Sequence, residues 1–281
     1  MSTTDYAIEA LRLTQRHNFH TVLDDVTLRV PAGAVVGLVG RNGAGKSSLL
    51  RCLVGLEEPE SGSALLLGCA ALALDDAVRR RLGYVAQTPD LFDWMNVLQH
   101  IRLIGRAYPR WNEDRALALA VRLDLPLHGR VAELSGGDQQ KLAVLLALAH
   151  EPDLLLLDEP VASLDPLARR EFMRALFAAP SRDDAEPRTV VISSHILSDL
   201  ERVVSHVAFL RDGRLQLFDA WDALLEHLRL LPDDAAAPPQ AAFVSRNTAT
   251  RQLVIDSRRA PAWAGAGRAM TLDELFAELN A

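Results

Sequence analysis

Between residues 6 and 30 apolar and polar positions alternate, closing on Val26-x-Leu28-x-Val30, and this period of two predicts an antiparallel sheet. Pro31-Ala32-Gly33 predicts a turn into the apolar run Val35-Val36-Gly37-Leu38-Val39, a strand, after which the amphipathic stretch Lys46 to Val54 predicts a helix. From about 88 to 150 the periodicity is helical, as around Ala116 to Val121, and it ends in a helix read as Gln139 to Ala149. Leu154-Leu155-Leu156-Leu157 is the pattern of a strand buried on both faces of a parallel sheet, and Val190 to His195 resumes the same core. Asp212-Gly213 marks a hairpin. Beyond it, residues 233–240 read as a linker, Ala242 to Ile255 as a two-stranded element and Thr271 to Leu279 as a short terminal helix.

Residues 40–47 fit G-x-x-x-x-G-K-[ST] and lie between that strand and that helix, the context a phosphate-binding loop requires. Gly40, Gly43 and Gly45 let the backbone turn and aim its N–H groups at a triphosphate, with the helix N-terminus behind them. Asn42, Ala44, Lys46, Ser47 and Ser48 complete the expected nucleotide contacts, Lys46 reaching the β- and γ-phosphates of ATP and Ser47 ligating Mg²⁺. Asp158 ends the leucine strand, facing a nucleotide crevice, where it would hold Mg²⁺. Glu159 beside it is placed to orient or deprotonate the attacking water.

Leu134-Ser-Gly-Gly-Asp-Gln-Gln140, following the phosphate loop and preceding Asp158-Glu159, resembles the signature of the nucleotide-binding subunits of ABC transporters. The resemblance covers about residues 8 to 220. It implies an α/β fold: a P-loop NTPase (RecA-like) core with an antiparallel β subdomain and an inserted α-helical subdomain at about 88–150. A nucleotide-binding domain over 1–220 would then precede a small α/β extension with its linker at 221–281. It further implies that two subunits pair head to tail around two ATP molecules, the phosphate loop of one facing the signature of the other. Ser135 as an N-cap, with the Gly136 and Gly137 N–H groups, offers the second anion site such a pairing needs.

Other positions follow from the same resemblance. Gln87 matches the glutamine that touches Mg²⁺ and senses the γ-phosphate, and His195 matches the histidine that contacts the γ-phosphate. Asp165, in Ser163-Leu164-Asp165-Pro166, matches the loop that crosses the dimer interface, and it also reads as a helix N-cap with Pro166 at the first helical position. Two positions depart from the pattern. His17 stands where relatives stack a tyrosine on adenine, with Phe19 or His20 as substitutes, and Asp138 stands where the signature usually has glutamine. A carboxylate there suits the first helical turn but weakens it as an anion site.

At 281 residues and 49% hydrophobic, the chain can bury one large core and a small appendage. No apolar run approaches the roughly 20 residues that cross a bilayer, and no charged-then-apolar leader opens the sequence, so a cytoplasmic protein is expected. The net charge of −7 argues against broad nucleic-acid binding, and two cysteines without metal spacing read as reduced thiols. Leu91-Phe92-Asp93-Trp94-Met95, next to Gln87, reads equally as core or as an interface for a membrane subunit. The expected partners are a second nucleotide-binding subunit, in a homodimer or other pair, and a separate transmembrane permease at the inner face of the cell membrane. The lone cassette and terminal helix resemble export-type systems. A soluble ATPase acting on nucleic acid or ribosomes would need coiled-coil arms, cysteine pairs or two cassettes, none of which the sequence carries. A regulatory subunit is the remaining alternative, raised by His17 and Asp138.

Overall fold

A computed structural model of the chain describes residues 5–109, 111–178, 187–195, 200, 203–233, 238–248 and 250–279. Strands β1 (Tyr6–His17) and β2 (His20–Pro31) form the opening hairpin, and β3 (Val35–Val39) leads through the glycine loop into α1 (Lys46–Leu53). There follow β4 (Ser61–Leu66), β5 (Cys69–Ala70), α2 (Asp76–Arg79) and β6 (Leu82–Val85). The helical insertion holds α3 (Val97–Gly105), α4 (Glu113–Arg122) and α5 (Gly136–Leu148). The core returns with β7 (Leu154–Leu157), α6 (Pro166–Ala178), β8 (Thr189–Ser194), β9 (His206–Arg211) and β10 (Arg214–Ala220). The extension is built from α7 (Trp221–His227), β11 (Leu228–Pro232), β12 (Phe243–Asn247), β13 (Gln252–Asp256), β14 (Arg268–Ala269) and α8 (Leu272–Leu279).

The strands form three sheets, ordered β2-β1-β4-β5, β10-β9-β3-β8-β7-β6 and β12-β13-β11-β14. In the central sheet β9, β3, β8, β7 and β6 run parallel, with β10 added antiparallel at the edge. Alternation along its strands feeds two cores. Leu154 and Leu156 pack with α1 and the opening antiparallel sheet, whereas Leu155 and Leu157 pack with the helical insertion. An uninterrupted apolar run is thus what two covered faces demand.

The structure refines several boundaries. The signature helix starts at Gly136, not Gln139, so both glycines lie inside its first turn and Ser135 is its N-cap. In α4 the buried positions are Ala116 and Ala120, four residues apart, while Val121 is 73% exposed. The stretch 233–240 joins two strands of one sheet, β11 and β12, and is not a connection between domains; residues 234–237 of it lie outside the described residues. The two-stranded element is β12 and β13, extended by β11 and β14 to four strands. Leu228, Leu230, Val254, Leu275 and Leu279 of this extension share one core with Phe209 of β9, and Arg211 donates Nη1–H to the Leu279 carbonyl at 3.1 Å.

Candidate functional site

The parallel register assembles the site. Leu157 lies opposite Ile192 and Val39 opposite Ser194, so the residues that follow β7, β3 and the end of β8 emerge side by side at the carboxyl edge of the sheet. These are Asp158-Glu159, the glycine loop and His195. Two of the loop's glycines are required by close approach. A side chain at Gly40 would meet the Leu210 carbonyl, and one at Gly45, held at φ +103°, would meet the Val22 carbonyl. Gly45 caps α1, whose first turn carries no acidic residue, so the positive end of the helix is left open to an anion.

Lys46 is 5% exposed and donates from Nζ to the Gly40 carbonyl at 2.9 Å and the Arg41 carbonyl at 3.3 Å. Its ammonium also lies 3.0 Å from Glu159 Oε1, and the other oxygen of Glu159 lies 2.8 Å from His195 Nδ1. Burial alone would raise the Glu159 carboxyl, but the hydrogen bond and charge of Lys46, and then those of His195, hold it below the usual carboxylate range. Glu159 sits at φ 45°, a left-handed conformation that a non-glycine residue adopts only when its surroundings enforce it. Ser193 supplies part of that enforcement. Its hydroxyl accepts from the Glu159 N–H at 2.8 Å and donates to Asp158 Oδ1 at 2.6 Å, both within the buried interior.

A cleft of about 370 Å³ opens beside these groups. Asn42, Gly43, Gly45, Lys46, Ser47 and Ser48 line it from the loop and helix, and Gln87 and Glu159 from the facing strand ends. Gly40, Ala44, Asp158 and His195 adjoin it without lining it, and Val22 joins the lining through the β2 backbone that crowds Gly45. The set fits a magnesium ion bound together with phosphate. Ser47 and Gln87, both with oxygen-bearing side chains, line the cleft, and Asp158 keeps Oδ2 without a hydrogen bond among the described residues. Those residues include no cluster of three or more His, Cys, Asp or Glu side chains able to hold a metal by themselves, as expected where the nucleotide and water complete the shell.

The remaining expected residues lie elsewhere. Ser135, Gly136, Gly137 and Asp165 are absent from the cleft lining. Ser135 Oγ accepts from the Asp138 N–H at 3.1 Å, and Asp165 Oδ1 accepts from the Ala168 N–H at 3.1 Å, so both cap their helices. The Asp138 carboxylate does not reach the Ser135 backbone as a capping box would. Instead Oδ2 takes the Ser135 hydroxyl proton at 2.8 Å, and Oδ1 pairs with Lys141 at 3.0 Å. His17 stays outside the cleft, its Nε2 3.4 Å from Ser48 Oγ and 3.6 Å from Glu57 Oε2. Phe19 stands fully exposed at the tip of the β1–β2 turn. Ser193 and Val22 escaped the sequence reading: a serine in a valine-rich strand carries no motif, and Val22 matters only through its backbone.

The family model described as ABC transporter matches residues 23–162. The chain is 40% identical over 209 residues to an aliphatic sulfonates import ATP-binding protein of Pseudomonas aeruginosa, covering 74% of this chain and 73% of that protein. The chain belongs to the ATP-binding subunits of ABC transporters, a family of ATPases. A Nod factor export ATP-binding protein of Cupriavidus metallidurans is 34% identical over 203 residues, 69% of this ABC subunit but 65% of the relative's own length. A dimeric ATP-binding cassette solved in a post-hydrolysis state with ADP and Pi superposes with a TM-score of 0.67 at 25% identity, over 76% of this chain and 98% of that one. Import and export proteins both stand among these relatives, so likeness selects no transport direction.

Near the cleft, Phe92 and Trp94 are 47% and 70% exposed, while Met95 between them and α3 is buried. The pair is held in place: the Phe92 N–H donates to His100 Nε2 at 3.0 Å, and the two rings stack 5.6 Å apart. Burial holds the His100 imidazole below its ordinary pKa, against the opposing hydrogen bond to Asn96, which keeps Nε2 free to accept.

Proposed function

We propose that this subunit hydrolyses Mg²⁺-ATP in a head-to-tail pair with a second nucleotide-binding subunit and thereby drives a separate transmembrane permease. The observation that carries the reading is the buried pair Lys46–Glu159, joined by the half-exposed His195, beside an open phosphate-loop cleft, with Ser135 and its helix end outside that same cleft. A site split in this way is completed by a second chain offering its signature, and two such sites close one dimer. Mg²⁺ bound with the nucleotide would offset phosphate charge. Ser47, Gln87 and Asp158 would hold it. Lys46 leaves Glu159 for the phosphates, and Glu159, steadied by His195, takes the proton of the attacking water. The exposed Phe92 and Trp94 are the surface offered to the permease, which would keep the subunit at the inner face of the membrane.

Mg²⁺-dependent ATPase activity measured against protein concentration, with Glu159→Gln in parallel, tests this. Activity that rises more than linearly and is lost in the variant supports paired sites. Strictly linear activity, or full turnover by the variant, overturns them.

A further inference from the structure

At the opposite ends of β7 and β8 from the nucleotide cleft, a second cavity of about 230 Å³ lies between α4, the end of α5 and the residues leading into β8. Its wall is largely apolar, with Leu119 and Leu148 among the lining side chains, and Leu148 is 5% exposed. Three arginines, Arg115, Arg122 and Arg188, share the lining with a single carboxylate, Glu151. Glu151 is committed to an ion pair with Arg115. Arg188 donates Nε–H to the Pro152 carbonyl at 2.9 Å and has no carboxylate within ion-pair distance among the described residues. The nearest candidate, Asp153, is paired with Arg81 at 2.5 Å. The Arg122 side chain makes no ion pair or hydrogen bond among the described residues and is exposed. The cavity therefore combines apolar walls with positive charge in excess of its one carboxylate. That excess is felt within the protein: burial and then the neighbouring charge of Arg115 lower the Arg188 pKa, against the pull of Asp153.

We infer that this cavity is a binding site for a small amphipathic anion, a carboxylate carrying a short unbranched apolar tail. A carboxylate matches the planar donor fork of a guanidinium and can bridge Arg122 and Arg188, and its tail would replace water along Leu119 and Leu148. The site shares no lining residue with the nucleotide cleft and stands or falls independently of it.

Octanoate, titrated into the full chain by calorimetry and followed by saturation-transfer NMR, tests the inference. Octanol supplies the tail without the charge, and acetate the charge without the tail. Saturable binding of one octanoate, with octanol and acetate each at least about tenfold weaker, is the expected result, tenfold being the loss of one charge-assisted contact or about two buried methylenes. Arg122→Gln, at an exposed position that spares the fold, should weaken octanoate about tenfold. Arg188→Gln should abolish the one-site isotherm. If Arg188→Gln fails to fold, Arg122→Gln decides. Equal affinity for octanol and octanoate, non-saturable uptake, or unchanged binding in Arg122→Gln would overturn the inference.

Discussion

The ammonium of Lys46 lies 3.0 Å from Glu159 Oε1, with both side chains at least nine-tenths buried. The charge proposed for phosphate is thus matched by the carboxylate proposed to act on water. ATP must separate the two, and Glu159→Gln removes the competition. That variant should bind ATP more tightly while losing roughly 100-fold or more in turnover, the usual scale of a lost general base. Equilibrium nucleotide binding and single-turnover hydrolysis on one preparation read both effects.

The pair also predicts non-additive stability. Lys46→Met alone leaves Glu159 buried with only His195 as partner, and breaking a buried pair from one side costs roughly 3 to 5 kcal/mol. Lys46→Met combined with Glu159→Gln should recover a large part of that cost. Chemical denaturation of the wild type, both single variants and the double variant closes the cycle. Additive losses would mean that the two groups are held independently.

Stability should fall on mild acidification. His100 and His150 are buried, and burial lowers both pKa values against the backbone carbonyls they touch. A histidine whose folded pKa is depressed contributes stability above its unfolded value of about 6.5 and loses it as pH falls through the folded value. Denaturation midpoints taken from about pH 7.5 to 5.5 should decline, and the decline should shrink in His150→Phe, which keeps a ring against Tyr108, now 4.1 Å from the imidazole. Glu159, also depressed, adds a second loss at more acidic pH, below about 4.5, and Glu159→Gln should flatten that limb.

Asp138 occupies the hydroxyl proton of Ser135 at 2.8 Å, the group that the opposing nucleotide would need. Asp138→Gln in the Glu159→Gln background should therefore strengthen ATP-dependent dimerisation, by about three- to tenfold for one helix-end charge per site. Sedimentation with and without ATP measures it. An unchanged dimer would show that the Lys141 partner already cancels the carboxylate, and a weaker one would overturn the prediction.

Trp94 is 70% exposed, and its ring lies 6.0 Å from that of Phe92, itself 47% exposed. Trp94→Ala should leave the fold within about 0.5 kcal/mol and the ATPase activity of the isolated subunit unchanged, while binding to the proposed membrane subunit falls. Co-purification with the permease distinguishes these outcomes.

The catalytic edge of the sheet is legible in the sequence because its requirements are local: an apolar run, then glycines or carboxylates at the strand end. Gly40 to Ser47 and Asp158-Glu159 announce themselves in this way, and the four leucines before Asp158 reveal two covered faces. The extension is less legible because its sheet is assembled from distant pieces. β11 pairs with β13 across the stretch 233–240, whose alanines and prolines resemble a linker, and β14 is only two residues long. Ser193 is invisible for a different reason. Its importance comes from the register of β7 against β8, which no periodicity within either strand records.

The extension packs on β9, the strand beside the phosphate-loop strand, and this decides how the chain can be divided. Phe209 of β9 meets Phe276 of α8 with ring centroids 6.3 Å apart, and Trp221, Leu224 and Leu228 are buried in the same core. Cutting the chain after Ala220 would strip the cover from one flank of the strand beside β3 and expose a contiguous oily face next to the loop that must stay rigid. For anyone exchanging parts between transporters, the terminal sheet therefore travels with the motor, as one of its walls.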